Sequence, residues 1–94
     1  MKYLIFLYLI SFSLSAQIRG IVKDSISGEP IPFVNIWVEN ETVGTTSEAD
    51  GTFFLEASKQ KNIVISVLGY ERKTLKGSEI SVVQLKPMAY DLRE

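Results

Sequence analysis

The stretch Phe33-Val34-Asn35-Ile36-Trp37-Val38-Glu39 is the clearest indication of secondary structure in the sequence, because its side chains alternate between two chemical characters. The aliphatic residues at positions 34, 36 and 38 share one face of an extended chain, and the aromatic and polar residues share the other. Such alternation is typical of a β-strand with one buried face. Pro30 and Pro32 precede the stretch and disfavour a helix there. The stretch therefore predicts a half-buried strand.

Further short segments around this strand also have strand-like sequences. They are rich in β-branched and aromatic residues, and turn sequences such as Asp50-Gly51 separate them at intervals of about ten residues. Residues 63–68 are apolar on both faces and are expected to be the most buried strand. No apolar pattern of helical period extends beyond two turns. The segments are 18–23, 33–39, 43–46, 52–55, 63–68, 72–75 and 81–85, and they predict an all-β antiparallel sandwich.

The composition excludes several classes of function. The 94 residues contain no cysteine and no histidine, so disulfide scaffolds, Cys/His zinc sites, haem ligation through His and His-based nucleophilic catalysis are all excluded. A general base near neutral pH would require a heavily perturbed carboxylate or lysine. Ten basic against eleven acidic residues, a net charge of −1, give no electrostatic footprint for nucleic acid. We expect no enzyme, no catalytic residue and no cofactor.

Residues 1–16 have the pattern of a secretory signal peptide. Lys2 provides a basic start, an apolar run extends from Tyr3 to Leu14, and small residues follow up to Ala16. A membrane-spanning helix needs about 20 apolar residues, and this run is shorter. Cleavage is expected between Ala16 and Gln17, with cleavage after Ser15 as the alternative. The pattern predicts an exported chain.

Four blocks in the mature part occur in an order and at a spacing typical of one domain family. Residues 20–24, 28–36, 44–55 and 68–70 are similar to the blocks Gly-x-Val-x-Asp, Gly-x-Pro-Leu-x-Gly-Val-x-Val, Gly-x-x-Thr-Asp-x-x-Gly-x-Phe-x-Leu and Val-Gly-Tyr. The chain thereby resembles the carboxypeptidase-like regulatory domain. Phe33 departs from the pattern where a small residue or Gly is common, and Ser47-Glu48 where Thr-Asp is usual. The residues that carry the resemblance are Gly20, Val22, Asp24, Gly28, Pro30, Gly44, Asp50, Gly51, Phe53, Gly69 and Tyr70.

The resemblance implies a seven-stranded antiparallel Greek-key sandwich of the prealbumin-like type, without catalytic activity, over residues 17–86. In Bacteroidetes-type bacteria, such domains commonly follow the signal peptide of TonB-dependent outer-membrane receptors of the starch-utilisation type. Residues 87–94 resemble the linker that leads towards the plug domain of those receptors. We therefore expect a fragment of a longer receptor, and the alternative is a complete, free-standing sandwich.

As such an extension, the chain would lie in the periplasm or at the outer membrane of a Gram-negative bacterium and contribute to nutrient uptake. Its partners would be the plug or barrel domain of the same receptor or another envelope protein, with a glycan as a further candidate ligand and no nucleic acid. It would meet the membrane only through the downstream part. Two alternatives stay open: a carbohydrate-binding or adhesive module, and an accessory domain of an exported peptidase.

The candidate docking face comprises Phe33, Asn35, Trp37 and Tyr70. A mixed aromatic and polar face can stack on sugar rings or anchor a partner protein. The alternative is that these aromatic residues pack within the sandwich or cover an edge, with the Tyr70 ring capping the core and its hydroxyl in water. Acidic residues near two turns, Glu39, Glu41, Glu48 and Asp50, match no EF-hand spacing, so we expect them to be solvated and predict no metal site.

Overall fold

The structure, a computed structural model, describes residues 16–88 of the 94-residue chain. These residues form seven β-strands and one short 3-10 helix, which confirms the all-β prediction. The strands are β1 (Ile18–Asp24), β2 (Asn35–Val38), β3 (Gly44–Thr46), β4 (Thr52–Leu55), β5 (Asn62–Ser66), β6 (Lys73–Lys76) and β7 (Val82–Leu85). The 3-10 helix, Gly77–Glu79, connects β6 to β7.

The strands form two sheets that face each other as a sandwich. One sheet has the order β4-β1-β7 and the other has the order β3-β2-β5-β6. All pairs are antiparallel except β1 with β7, which is parallel. The prediction of a fully antiparallel sandwich is therefore wrong for this pair. Successive strands reverse direction, so β1 and β7 run the same way. They are neighbours in the three-stranded sheet and therefore pair in parallel.

The core lies between the sheets and consists mainly of Ile, Val and Leu side chains. The predicted alternation in β2 is confirmed, because Val34, Ile36 and Val38 are all buried. Each fully buried side chain of this size contributes roughly 1.5–3 kcal/mol to stability. The core cluster contains Ile18, Val22, Ile31, Val34, Ile36, Val38, Phe53, Leu55, Ile63, Ile65, Ile80, Val83 and Leu85.

Two glycines of the family blocks occupy places that no larger residue fits. Gly51 has a φ of 83°, and a Cβ built there would lie 2.7 Å from the Val22 carbonyl oxygen. Gly20 lies in β1 where a Cβ would meet both Phe53 Cζ and Ile80 Cγ2 at 2.9 Å. Gly51 therefore allows the tight turn before β4, and Gly20 allows core side chains to pack directly against the β1 backbone.

The strand predicted over residues 63–68 ends earlier than expected. Ile63, Val64 and Ile65 are buried as predicted, but β5 ends at Ser66, and Leu68 is 95% exposed. The chain turns here, since the Tyr70 amide donates to the Val67 carbonyl at 3.2 Å and Gly69 has a φ of 93°. Continuous hydrophobicity did not reveal that this turn removes Leu68 from the core.

One end of the sandwich gathers the connections that matter for the candidate site. We call it the exit end, because segment 86–88 follows the last strand there; it comprises the loops 25–34, 47–51 and 67–72 and the segment 86–88. That segment is tied to the β5–β6 connection by an isolated bridge between Tyr70 and Pro87. The Glu71 amide donates to the Lys86 carbonyl at 2.8 Å, and the Met88 amide donates to the Gly69 carbonyl at 2.9 Å.

The predicted signal peptide, apart from Ala16, and residues 89–94 of the predicted linker lie outside the described residues. Both remain predictions. Within residues 16–88 there is no helix long and apolar enough to cross a membrane.

Candidate docking face

The outer face of the four-stranded sheet carries two of the four predicted residues, Asn35 and Trp37. In β2 they alternate with the buried Ile36 and Val38, so their side chains point away from the other sheet. Trp37 is half-buried and lies opposite Val64 of β5 on the same face. Val64 is only 5% exposed although it faces outwards. The alternative in which Trp37 packs between the sheets is therefore wrong.

A cation lies against Trp37. The Arg72 guanidinium carbon is 5.5 Å from the centroid of the indole ring, within the range of a cation–π interaction. Among residues 16–88, Arg72 forms no ion pair with a carboxylate. The sequence alone did not indicate this contact, because the approach of Arg72 to Trp37 depends on the pairing of β2, β5 and β6.

Asn35 lies between two depressions of this face. The larger one, of about 540 Å³, is open and is lined by Asn35, Trp37 and residues of β3 and the loop before it. The second, of about 350 Å³, we call the exit groove. Asn35 thus shares one depression with Trp37 and the other with Tyr70. The exit groove is lined by Asn35, Ser66, Val67, Leu68, Gly69, Tyr70, Arg72 and Met88.

Tyr70 uses its hydroxyl differently from the prediction. Its ring is partly buried against the core, but the hydroxyl donates a hydrogen bond of 2.7 Å to Asp24 Oδ2 instead of lying free in water. Asp24 Oδ1 accepts from the amides of Ile26 at 2.7 Å and Ser27 at 3.0 Å. The Ser27 amide, the Tyr70 hydroxyl and the Ile26 amide hold the pKa of Asp24 below its usual value, and the bond to Asp24 raises the pKa of Tyr70.

Phe33 stands apart from the other three predicted residues. It is 73% exposed and lines neither depression. Its φ is 61°, in the left-handed region that favours glycine, and the related family has a small residue or Gly at this position. An exposed aromatic ring on a strained backbone is unusual. The alternation in β2 predicted neither the exposure nor the backbone conformation of Phe33.

Ser47 fixes the conformation of Phe33 from the neighbouring loop. Its hydroxyl accepts from the Val34 amide and donates to the Ile31 carbonyl, both at 2.9 Å. Its carbonyl accepts from the Phe33 amide at 3.1 Å. Ser47 is 2% exposed and is the buried polar residue of this region. Ser47 stands where the family usually has Thr, so a hydroxyl is retained at this position. That hydroxyl links the β3–β4 loop to the β1–β2 loop through its two hydrogen bonds.

The four acidic residues considered as cation ligands lie at opposite ends of β3. Near the β2–β3 turn, Glu41 pairs with Lys61 at 2.8 Å and Glu39 accepts from Asn62 at 3.2 Å. Beyond β3, Asp50 accepts from the Thr52 hydroxyl at 2.6 Å, and this bond lowers the pKa of Asp50. No group of three or more His, Cys, Asp or Glu side chains within residues 16–88 is placed to hold a metal ion.

The sequence pattern of the CarboxypepD_reg-like domain family matches residues 18–94, and the chain belongs to this family. The chain is also similar to the TonB-dependent receptor SusC of Bacteroides thetaiotaomicron, with 39% identity over 71 residues. This match covers 76% of the chain but only 7% of the receptor. Both matches are to a regulatory-like domain or a receptor region and not to a catalytic domain.

Proposed function

We propose that this chain is a non-enzymatic docking module, the periplasmic N-terminal extension of a TonB-dependent outer-membrane receptor for nutrient uptake. The observation that carries the proposal is its similarity to the receptor SusC at 39% identity over 71 residues. The predicted export of the chain is consistent with a place in the cell envelope of a Gram-negative bacterium. The module would act by contacts with the plug or barrel domain of the same receptor, or with another envelope protein.

The outer face of the four-stranded sheet supports a docking role. It presents a half-buried Trp and an exposed Arg in contact, and these residue types are enriched at the centres of protein interfaces. Asn35 beside them supplies amide donors and acceptors. The face would therefore offer an aromatic anchor, a positive charge and a hydrogen-bonding group to a partner.

A deletion in the native gene tests the proposal. Removing the codons for residues 17–86 while keeping the reading frame should leave the receptor in the outer membrane and reduce growth on its nutrient. Replacing Trp37 and Arg72 together by Ala should reproduce part of that reduction, whereas Lys59→Ala should not, because Lys59 lines neither depression of this face. A reading frame that ends directly after Glu94 would contradict the receptor role, and a zinc-peptidase sequence downstream would favour the accessory-domain alternative.

A second candidate function, binding of a carbohydrate, rests on the open depression beside Trp37. Sugar rings stack on aromatic faces, and the depression is lined by polar Asn35, Thr42, Thr45 and Thr46 in addition to the indole. Arg72 already occupies one approach to the ring, which leaves less of it for stacking. Titration of Trp37 fluorescence with oligosaccharides tests this function, and an unchanged spectrum at millimolar ligand would contradict it.

A further inference from the structure

The exit groove exposes apolar side chains that have no partner within the described sandwich. Leu68 is 95% exposed and Met88 is 45% exposed, and both line the groove. Val67 and the Tyr70 ring extend the same apolar surface towards the core. Arg72 is the one charged residue among those lining the groove, so the groove combines an apolar floor with a positive charge. Its chemistry fits a segment with apolar residues and carboxylates.

Met88, the last residue that the structure describes, lines this groove. Segment 86–88 is fixed along residues 69–71 by two backbone hydrogen bonds, and Met88 itself contributes to the lining. Residues 89–94 are joined directly to Met88, a residue of the groove lining. The next six residues, 89–94, read Ala-Tyr-Asp-Leu-Arg-Glu and bring two large apolar side chains, Tyr90 and Leu92, together with two carboxylates, Asp91 and Glu94.

We propose that the exit groove binds residues 89–94 of the same chain. In an extended chain, Tyr90 and Leu92 share a side with Met88, whose side chain is already in the groove. The carboxylates of Asp91 and Glu94 complement the charge of Arg72. The family pattern also continues through residue 94, six residues past the last described one, as expected if the segment is part of the domain. The proposal concerns part of the predicted linker over residues 87–94 and is independent of the proposed function.

Paired cysteines test the proposal, because the chain contains no cysteine of its own. Leu68→Cys is combined in turn with Tyr90→Cys and with Leu92→Cys in the full chain. Ile26→Cys with the same two partners is the matched control, since Ile26 is 80% exposed in an exit-end loop but does not line the groove. Disulfide formation is measured at equilibrium in glutathione buffers, which gives an effective concentration for each pair. A freely moving tether gives values in the millimolar range.

Binding in the groove predicts that at least one Leu68 pair exceeds its Ile26 control by about tenfold or more in effective concentration. Smaller ratios for both pairs would overturn the proposal. If a cysteine variant does not fold, substitution by serine answers the same question. Leu68→Ser should lower the melting temperature in the native chain but not in a chain with Tyr90→Ser and Leu92→Ser. An equal shift in both chains would also overturn the proposal.

Discussion

The Tyr70 hydroxyl lies 2.7 Å from Asp24 Oδ2 and donates a hydrogen bond across 46 positions of the sequence. Asp24 is the last residue of β1 and Tyr70 lies in the β5–β6 connection, so the bond joins the end of a strand in one sheet to a loop of the other sheet. Both residues belong to the sequence blocks by which the chain resembles its family. The bond gives these two blocks a shared structural role, which is to hold the exit end of the sandwich together.

Tyr70→Phe should destabilise the sandwich without changing its fold, because it removes only this hydrogen bond and keeps the ring against the core. A lost hydrogen bond in a domain of this size lowers the melting temperature by on the order of 5 °C. Thermal unfolding by circular dichroism measures the shift. In a background with Asp24→Asn the same substitution should have a smaller effect, and an equal effect would show that the bond contributes nothing.

The pair formed by Asp24 and Tyr70 should make the folded domain lose stability at both acidic and alkaline pH. The pKa of Asp24 is lowered from 3.8 in the folded state, so its contribution is present above that pH and is lost as the pH falls through the folded value. The pKa of Tyr70 is raised from 10.0, so its contribution is present below that pH and is lost as the pH rises through the folded value.

Denaturation by urea at a series of pH values measures the free energy of unfolding on both the acidic and the alkaline side. Asp24→Asn should flatten the loss of stability on the acidic side, where a remaining slope comes in part from Asp50, whose pKa is also lowered. Tyr70→Phe should flatten the alkaline side. If Tyr70→Phe does not change how steeply stability falls at alkaline pH, other groups cause that loss and its attribution to Tyr70 is wrong.

Ser47→Ala should be strongly destabilising for a substitution this small. It leaves the Val34 amide without its side-chain acceptor in a place where water has little access, which costs about 1–3 kcal/mol. The measurement is the free energy of unfolding in urea. Ser78→Ala, at an exposed position of the 3-10 helix, is the matched control and should change stability by less than about 0.5 kcal/mol.

Phe33→Gly should be more stable than Phe33→Ala by about 1 kcal/mol, because alanine keeps the penalty for a positive φ and glycine does not. Both variants remove the same exposed ring, so the comparison isolates the backbone. The free energies of unfolding are measured side by side. A less stable glycine variant would mean that the left-handed conformation at this position carries no strain.

Local sequence patterns were sufficient to predict the strands. Alternation identified the inner face of β2, and each predicted segment overlaps a strand of the structure. The parallel pairing of β1 with β7 was not predictable in this way, because alternation fixes a strand's faces but not its neighbours. The exposure of Leu68 was missed for a related reason, since a hydrophobic run does not show where the backbone turns out of the sheet.

The candidate site was predictable only in part. Asn35 and Trp37 share an outer face as the alternation in β2 required, and Tyr70 lies beside Asn35 in the exit groove. Arg72 was missed, because its position against Trp37 follows from the order of strands in the sheet. The bond from Tyr70 to Asp24 was missed as well, since nothing local connects residues so far apart in the sequence.

The proposed function makes this domain the leading part of a TonB-dependent receptor. An antibody raised against residues 16–88 tests it most directly, applied to separated envelope fractions of the native bacterium. The expected result is a band in the outer-membrane fraction from a protein of about a thousand residues, the length at which 71 residues amount to 7%. A single species no larger than the 94-residue chain, found in the soluble periplasmic fraction, would contradict it.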